Sequence, residues 1–510
     1  MDEAESPRRL AGWPISRRRL LQAAAGLGLA GLGATACKGE KEKALDAIAT
    51  PAGSGGPVLE QFVPSNEEIM ATIEKIVAQG IRRPGSPADS WAEQFCLQRF
   101  NELGLENVRY EPLDISCWET NSWSLSVRQE SGGAAIDLPC LPLPYSTPVD
   151  GLECRLVAFD DDDPEAAAGN AALVDIALPQ LPYGSVGEFS TAFYDPEDTF
   201  PGFQQTLPTV LGLEAAMAAI IPAGASAFIG ALTGYPGDSC QYYVPYHARK
   251  TPIPAVWVSG SSGERLRRML AAGPVTARLT VDAAVRAGTG NNVVGELPGA
   301  SDELVIVGSH HDGPWASAVE DASGIALVLA QAAYWSRVPR EQRPHRMLFL
   351  LHAGHMAGGA GIWAFLPAHA DEVSRTVLEV HLEHAALEFV EKDGKIEATG
   401  LPEPRWWFTS RIPQLETAVL DAIQSERLTR SVILPSNIFG NAPPTDGAGF
   451  SLAGVPQVSF LTAPFYLFDA IDTVDKIDRD NLAPISRAAI RIIESTRDET
   501  AKSMRAAFKS

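Results

Sequence analysis

Four short apolar runs, LVIVGS (304–309), MLFLLH (347–352), VLEVHL (377–382) and PQVSFL (456–461), are each followed by a helical pattern. Runs of this length and continuity read as buried strands of a largely parallel sheet joined by helical crossovers. Sheets of this kind gather functional groups at the C-terminal ends of their strands. The first run ends in His310-His311-Asp312, the second in His352 followed by His355, and the third in His381, Glu383 and His384. Eight of the nine histidines lie between residues 310 and 384. Histidines serving only local structure would scatter, so this clustering predicts a metal or acid–base centre on an α/β scaffold. His345 and His369 stand apart from the strand ends and read as surface or helix residues.

At roughly 150 residues per domain, 510 residues allow two or three domains. Residues 61–140 begin with two helical patterns around the turn Arg83-Pro84-Gly85-Ser86. A Pro-rich linker then leads to a second block, 150–285, with its own alternation of strand and helix. The third block, 289–505, carries the histidines. The formal net charge of −22 argues against binding a phosphate backbone, so no nucleic-acid partner is expected. Six cysteines are too few for a disulfide scaffold and lack the CxxC spacing of a thiolate zinc site. At the N-terminus, Ser16-Arg17-Arg18-Arg19-Leu20-Leu21 and the weakly apolar run to Ala36 fit a twin-arginine signal peptide over 1–36. Cys37 follows at once, as in bacterial lipoproteins, and 37–60 reads as a tether. The expected location is the outer face of the cell membrane or the periplasm, with a lipid on Cys37 as the only membrane attachment.

Imidazoles beside carboxylates at strand ends suit zinc. The ion takes nitrogen and oxygen donors, and an open position activates water for attack on a carbonyl. In His310-x-Asp312 the acid can hold the second ring nitrogen of the histidine and fix its tautomer. With these residues in place, the first and third blocks resemble the zinc exopeptidases of the bacterial aminopeptidase and glutamate-carboxypeptidase type, the M28-like peptidases. The resemblance rests on Arg83-Pro84-Gly85-Ser86, on Asn292-Val293-Val294 with Leu297-Pro298-Gly299, and on GSHHD (308–312) and EDASG (320–324). It extends to Asp446 with Phe450 and Gly454-Val455-Pro456, and to Asp472-Thr473 with Lys476-Ile477-Asp478. The middle block resembles a protease-associated (PA) domain. The implied fold is a three-layer α/β/α zinc-peptidase domain of the phosphorylase/hydrolase type with a mostly parallel sheet, plus an inserted β-rich α/β PA-like domain.

Carried across by position, the resemblance implies His310 as a zinc ligand with Asp312 orienting it, and Glu320 as the carboxylate that bridges two metals. Asp321 is an alternative if the alignment slips by one, and Glu383 is a further ligand of the His310 metal. Two departures follow. The family has two adjacent glutamates after the second strand, general base then ligand, and this chain has Gly354 and His355. The family has a histidine four residues before the Asp-Thr pair, and this chain has Phe468; Asp469 or His352 could fill that vacancy. Gly447 stands where the family has a histidine after the Asp of the fourth motif. One zinc ion, or two, is thus implied. His311, His352 and His384 are open candidates for the missing base. Trp315 and Trp406-Trp407-Phe408 read either as pocket lining or as packing under a loop. The function implied is an exported zinc-dependent hydrolase acting on a peptide or small amide. The alternatives are a lipid-anchored binding protein that has lost turnover, and a glutaminyl-cyclase-like transferase.

Overall fold

The computed structural model describes residues 56–508 except 161 and 211. The signal peptide expected at 1–36, Cys37 and most of the tether lie outside the described residues. Two helices come first, α1 (Asn66–Val77) and α2 (Pro87–Glu102). Ser65 and Glu68 form a capping box on α1, and Ser86 caps α2 with Pro87 in its first turn. In the turn between them Gly85 has φ +76°, and a Cβ there would stand 2.5 Å from the Cys117 sulfur. Only glycine fits that position.

The chain then runs along a 24-residue strand, β1 (Glu106–Gln129). The middle block contains β2 (Val149–Ala158), β3 (Ala171–Ala177), β4 (Ala192–Tyr194), α3 (Leu213–Ile220), β5 (Ala227–Thr233), β6 (Ala255–Ser259) and α4 (Gly260–Ala272). It returns along β7 (Val275–Leu297), which pairs antiparallel with β1 from Glu106↔Glu296 to Gln129↔Val275. This ribbon spans both blocks, so the boundary drawn near 285–289 falls inside a single strand. The remaining core elements are β8 (Leu304–His310), α5 (Gly324–Arg337), β9 (Arg346–His352), α6 (Ala360–Ala368), β10 (Thr376–Leu382), β11 (Arg405–Thr409), α7 (Pro413–Ser425), β12 (Ser431–Pro435), β13 (Gln457–Thr462) and α8 (Leu482–Glu494).

One continuous sheet runs β6-β5-β3-β2-β7-β9-β8-β10-β13-β11-β12-β4. At the centre of the third block β8 is parallel to β9 and β10, and β10 is parallel to β13. Alternation along the strands sends their side chains to two buried faces. Val305 and Val307 of β8 pack with α5, whereas Leu304 and Ile306 join Ile362 and Phe365 of α6. Helix α5 is buried along twelve of its fourteen residues. The result is the expected α/β architecture with helices on both faces of a mostly parallel sheet. The third run departs from expectation. A hairpin, Leu387–Lys392 with Lys395–Pro402, follows β10 instead of a helix. Trp406, Trp407 and Phe408 form strand β11, buried and antiparallel to β13, and Trp406 and Phe408 pack with Tyr183 and Phe200. Cys96, Cys117, Cys140, Cys154 and Cys240 are free thiols. Among the described residues no helix is long and apolar enough to cross a membrane.

Residues 180–207 of the middle block reach over to the far edge of the sheet, where β4 pairs with β12. There Gln205 Nε2 donates to Glu403 Oε1 at 2.6 Å, both side chains buried. Burial, then the neighbouring Glu388, pushes the Glu403 carboxyl up to about 8 from an ordinary 4.5. The folded chain therefore keeps a proton that the unfolded chain gives up. The stability it confers is complete below pH 4.5 and is lost as pH rises to about 8. Thermal unfolding is expected to show Glu403→Gln more stable than the parent at pH 8.5 and no more stable at pH 4.5. A pH-independent difference would contradict this.

Candidate metal centre

The parallel register places His310 at the end of β8 opposite His352 at the end of β9, and Gly308 opposite His381 of β10. Glu379, His381 and Glu383 alternate along one strand and its extension, so they share a face. Glu320 arrives from the segment before α5, which is clamped from two sides. Asp472 accepts the amides of Val319 (2.8 Å) and Glu320 (2.9 Å). The buried guanidinium of Arg82, from the turn before α2, donates to the carbonyls of Ala316, Ser317 (2.8 Å) and Glu320 (3.4 Å). Asp321 is used differently. It accepts the Gly324 amide at 3.0 Å and the Ser309 hydroxyl, which ties the start of α5 to β8, and it lies 3.9 Å from His310 Nε2.

His310 Nε2 lies 3.4 Å from Glu320 Oε1 and 3.2 Å from Asp446 Oδ2. His355 Nε2 lies 3.5 Å from the same Glu320 Oε1, and His384 Nε2 lies 2.5 Å from Glu320 Oε2. Donors bound tetrahedrally at about 2.05 Å sit roughly 3.3 Å apart, so the His310–Glu320–His355 spacing fits one zinc ion. His310 Nε2, both Glu320 oxygens, His384 Nε2 and Asp446 Oδ2 are buried and make no hydrogen bond. The outer ring nitrogens are held from behind. Asp446 Oδ1 meets His355 Nδ1, and Thr462 O accepts from His384 Nδ1 at 3.1 Å. Each contact leaves Nε2 as the inward-facing donor, the arrangement that suits a metal ligand. Asp312 Oδ1 is 3.8 Å from His310 Nδ1; its oxygens accept the amides of His355 (3.0 Å) and Met356 (2.7 Å), so Asp312 chiefly holds the loop that carries His355.

The charges of these groups compensate one another. Burial disfavours charge on His310, but Asp446, Asp312 and Glu320 outweigh it and raise its pKa well above the ordinary histidine value. Burial likewise opposes ionising Glu320, yet His384 and His310 hold it down at about 2. Asp321 has weaker compensation, and burial lifts it to about 7. A divalent ion would displace imidazolium protons and supply the same compensation from one point.

Residues 292–493 match peptidase family M28 in sequence. This stretch is an M28 peptidase domain. No curated protein matches the chain. Solved structures that share its fold include the following three. A peptidase M28 precursor from Shewanella amazonensis has 20% identity and TM-score 0.65, covering 90% of this chain and 97% of that one. A zinc aminopeptidase from Bacillus subtilis has 16% identity and TM-score 0.61, covering 86% and 96%. An aminopeptidase from Aneurinibacillus sp. strain AM-1 has 19% identity and TM-score 0.59, covering 86% and 94%. At these identities the likeness is one of fold.

Within the M28 domain the residues expected from sequence divide into three sets. His310, Glu320, His355 and His384 converge. His311 faces away: its Nδ1 lies 2.8 Å from Asp89 Oδ1 and its Nε2 3.0 Å from the Asn291 carbonyl. With both nitrogens engaged on α2 and β7, it is no base for the centre. Glu383 is not within ion-pair distance of His310. Its Oε1 is 3.0 Å from His381 Nε2 and accepts the Asp446 amide at 3.2 Å, while its Oε2 is 3.8 Å from His384 Nε2. Asp469 accepts from the Tyr235 hydroxyl (3.1 Å) and the Ile471 amide (3.0 Å) and joins none of the ligand groups among the described residues. Phe468 packs its ring 5.1 Å from that of Tyr246. Gly354, where the M28 pattern has its base, has φ +71°, with Ala360 Cβ and Ile115 Cγ2 3.2 and 3.4 Å from where a Cβ would stand. A glutamate there would be strained, so restoring the base by Gly354→Glu is not a simple exchange. His345 is buried, with Nε2 2.7 Å from the Thr496 carbonyl, and His369 pairs with Glu111 at 3.0 Å and with Glu372.

Two participants went unread in the sequence. Asp446 was visible only as part of a motif, yet its carboxylate contacts both His355 and His310. Tyr246 comes from the middle block, and its ring lies 4.9 Å from that of His355. Burial, then the carboxylates of Glu320, Asp446 and Glu383, keeps its phenol protonated well past the ordinary tyrosine range. No local pattern marks Tyr246; only the return of the insert onto the 354–359 loop brings it there, where the Gly358 amide donates to the Tyr246 carbonyl at 3.0 Å.

Proposed function

We propose that the chain is an exported, zinc-dependent hydrolase of peptide or small amide bonds. The observation that carries this reading is the meeting of His310 Nε2, Glu320 Oε1 and His355 Nε2 at zinc-ligand spacing, in an M28 domain, with no hydrogen bonds to His310 Nε2 or Glu320 Oε1. When bound, zinc would polarise a substrate carbonyl and activate water. The chain's own groups supply the rest. Tyr246, protonated and beside His355, is a hydrogen-bond donor for charge developing on a carbonyl oxygen. His384, with Nδ1 fixed on the Thr462 carbonyl, presents Nε2 to Glu320; burial opposes charge on this ring, but Glu320 raises its pKa to about 10, so it is a proton donor for a leaving amine. The His355 side chain keeps 12% of its exposure while His310 keeps none, so substrate reaches the centre from the His355–Tyr246 side.

A second reading, a lipid-anchored binding protein without turnover, is favoured by one observation. Gly354 sits in a left-handed turn where the family's glutamate would be strained. On either reading the segment 1–36 would direct export, Cys37 would carry lipid at the outer membrane face or in the periplasm, and the middle block would serve as a PA-like insert.

Aminoacyl and dipeptidyl anilides separate the two. The hydrolase reading expects slow, zinc-dependent release, abolished by His310→Ala and lowered about 10²-fold in kcat by Tyr246→Phe. Stoichiometric zinc with no turnover on any such substrate would leave the binding protein. Mass spectrometry of the N-terminus in a bacterial host tests export: a chain beginning at lipid-modified Cys37 is expected, and an intact residue 1 would contradict it.

A further inference from the structure

Beneath the His310–Glu320–His355 group lies a second convergence that the hydrolase reading does not use. His352, His381 and Asp446 each present one donor atom, all within 4.8 Å of one another and all buried. Both ring nitrogens of His352 lack any hydrogen-bond partner although the side chain has no exposure. His381 Nε2 and Asp446 Oδ2 are likewise unpartnered. An imidazole with neither nitrogen bonded to a protein group and no exposure is rare, because buried polar groups normally find partners.

The surroundings are built to aim these atoms. Glu379 Oε1 lies 2.8 Å from His381 Nδ1, and Glu379 Oε2 accepts from Gln457 Nε2 at 2.8 Å, which is also bonded to the Gly447 carbonyl at 2.7 Å. This carboxylate behind a histidine turns Nε2 forward as a donor. Glu383 Oε1, 3.0 Å from His381 Nε2, stands next to the same space. Room for the His381 ring comes from two glycines. A Cβ on Gly447 would lie 3.0 Å from His381 Cγ, and one on Gly308 3.4 Å from its Nδ1. The ring thus occupies the place a side chain at 447 would need.

We propose that His352, His381 and Asp446 hold a second divalent cation of the zinc class at the strand ends. Two imidazoles and a carboxylate form an N2O donor set of the kind zinc takes. Asp446 then links the two ions, its Oδ1 fixing His355 and its Oδ2 facing inward. The site does not depend on the hydrolase reading, since an inert chain would still bind the ion.

The test is zinc stoichiometry on the full chain after chelation and reloading with zinc alone, measured by elemental analysis and isothermal titration. The parent is expected to bind two ions. His352→Gln and His381→Gln, which keep polarity and near volume, should each bind one, whereas His355→Ala should lose the other ion and keep this one. Equal melting temperatures of parent and variants in chelator guard against misfolding. If a variant fails that check, cobalt loading of the parent is decisive: two distinct sets of visible bands support the second site, and one set overturns it. A parent binding fewer than two ions, or full stoichiometry in both glutamine variants, also overturns it.

Discussion

Charged and hydrogen-bonding side chains crowd one buried place in the fold, and the rest of the structure answers to that constraint. Each unpartnered buried polar group costs about 1–3 kcal/mol, more when charged. His310, His352, His384, Glu320 and Asp446 carry several such atoms between them. A fold tolerates this only if something compensates. In the protein alone it is imidazolium against carboxylate, and with a metal it is the ion. Around this core stands a ring of residues whose only work is to hold others. Arg82 and Asp472 grip the backbone of Glu320, Asp312 grips that of His355, and Glu379 with Gln457 grips His381. Functional geometry of this kind rests on such supporting shells more than on the ligands themselves.

The middle block is joined to the M28 domain by more than a linker. The β1–β7 ribbon carries one sheet through both blocks. The return from β5 to β6 lays Tyr246 against His355 of the centre. Arg83, from the motif turn before α2, stacks on Tyr243 and Trp315 at 4.5 and 4.7 Å and joins the two blocks there. The surroundings of the centre are therefore built from both blocks.

Much of this was legible in the sequence because strong local signals agreed with the global fold. The runs at 304, 347, 377 and 456 became β8, β9, β10 and β13, and histidines after such strands had to meet. The RPGS turn and the Asp472-Thr473 pair were visible as motifs, and their physical work, supporting the Glu320 segment, needed the structure. What stayed hidden depends on pairing across long separations. Strand β11 is five residues long and rich in tryptophan, and its pairing with β13 and β12 across long separations makes it a strand. Asp446 and Tyr246 reach the centre through loops without periodicity. Glu379, His381 and Glu383 are the opposite case: their spacing of two on a strand already puts them on one face, although the family pattern gives a role only to the last.

The central claim is that the buried cluster is a metal site. Anomalous diffraction at the zinc absorption edge, on crystals of the zinc-loaded chain, tests it most directly. The account predicts a peak within about 2.0–2.2 Å of His310 Nε2, Glu320 Oε1 and His355 Nε2. No peak there, with His384 still paired to Glu320, would mean that protons alone satisfy the cluster and would contradict the account.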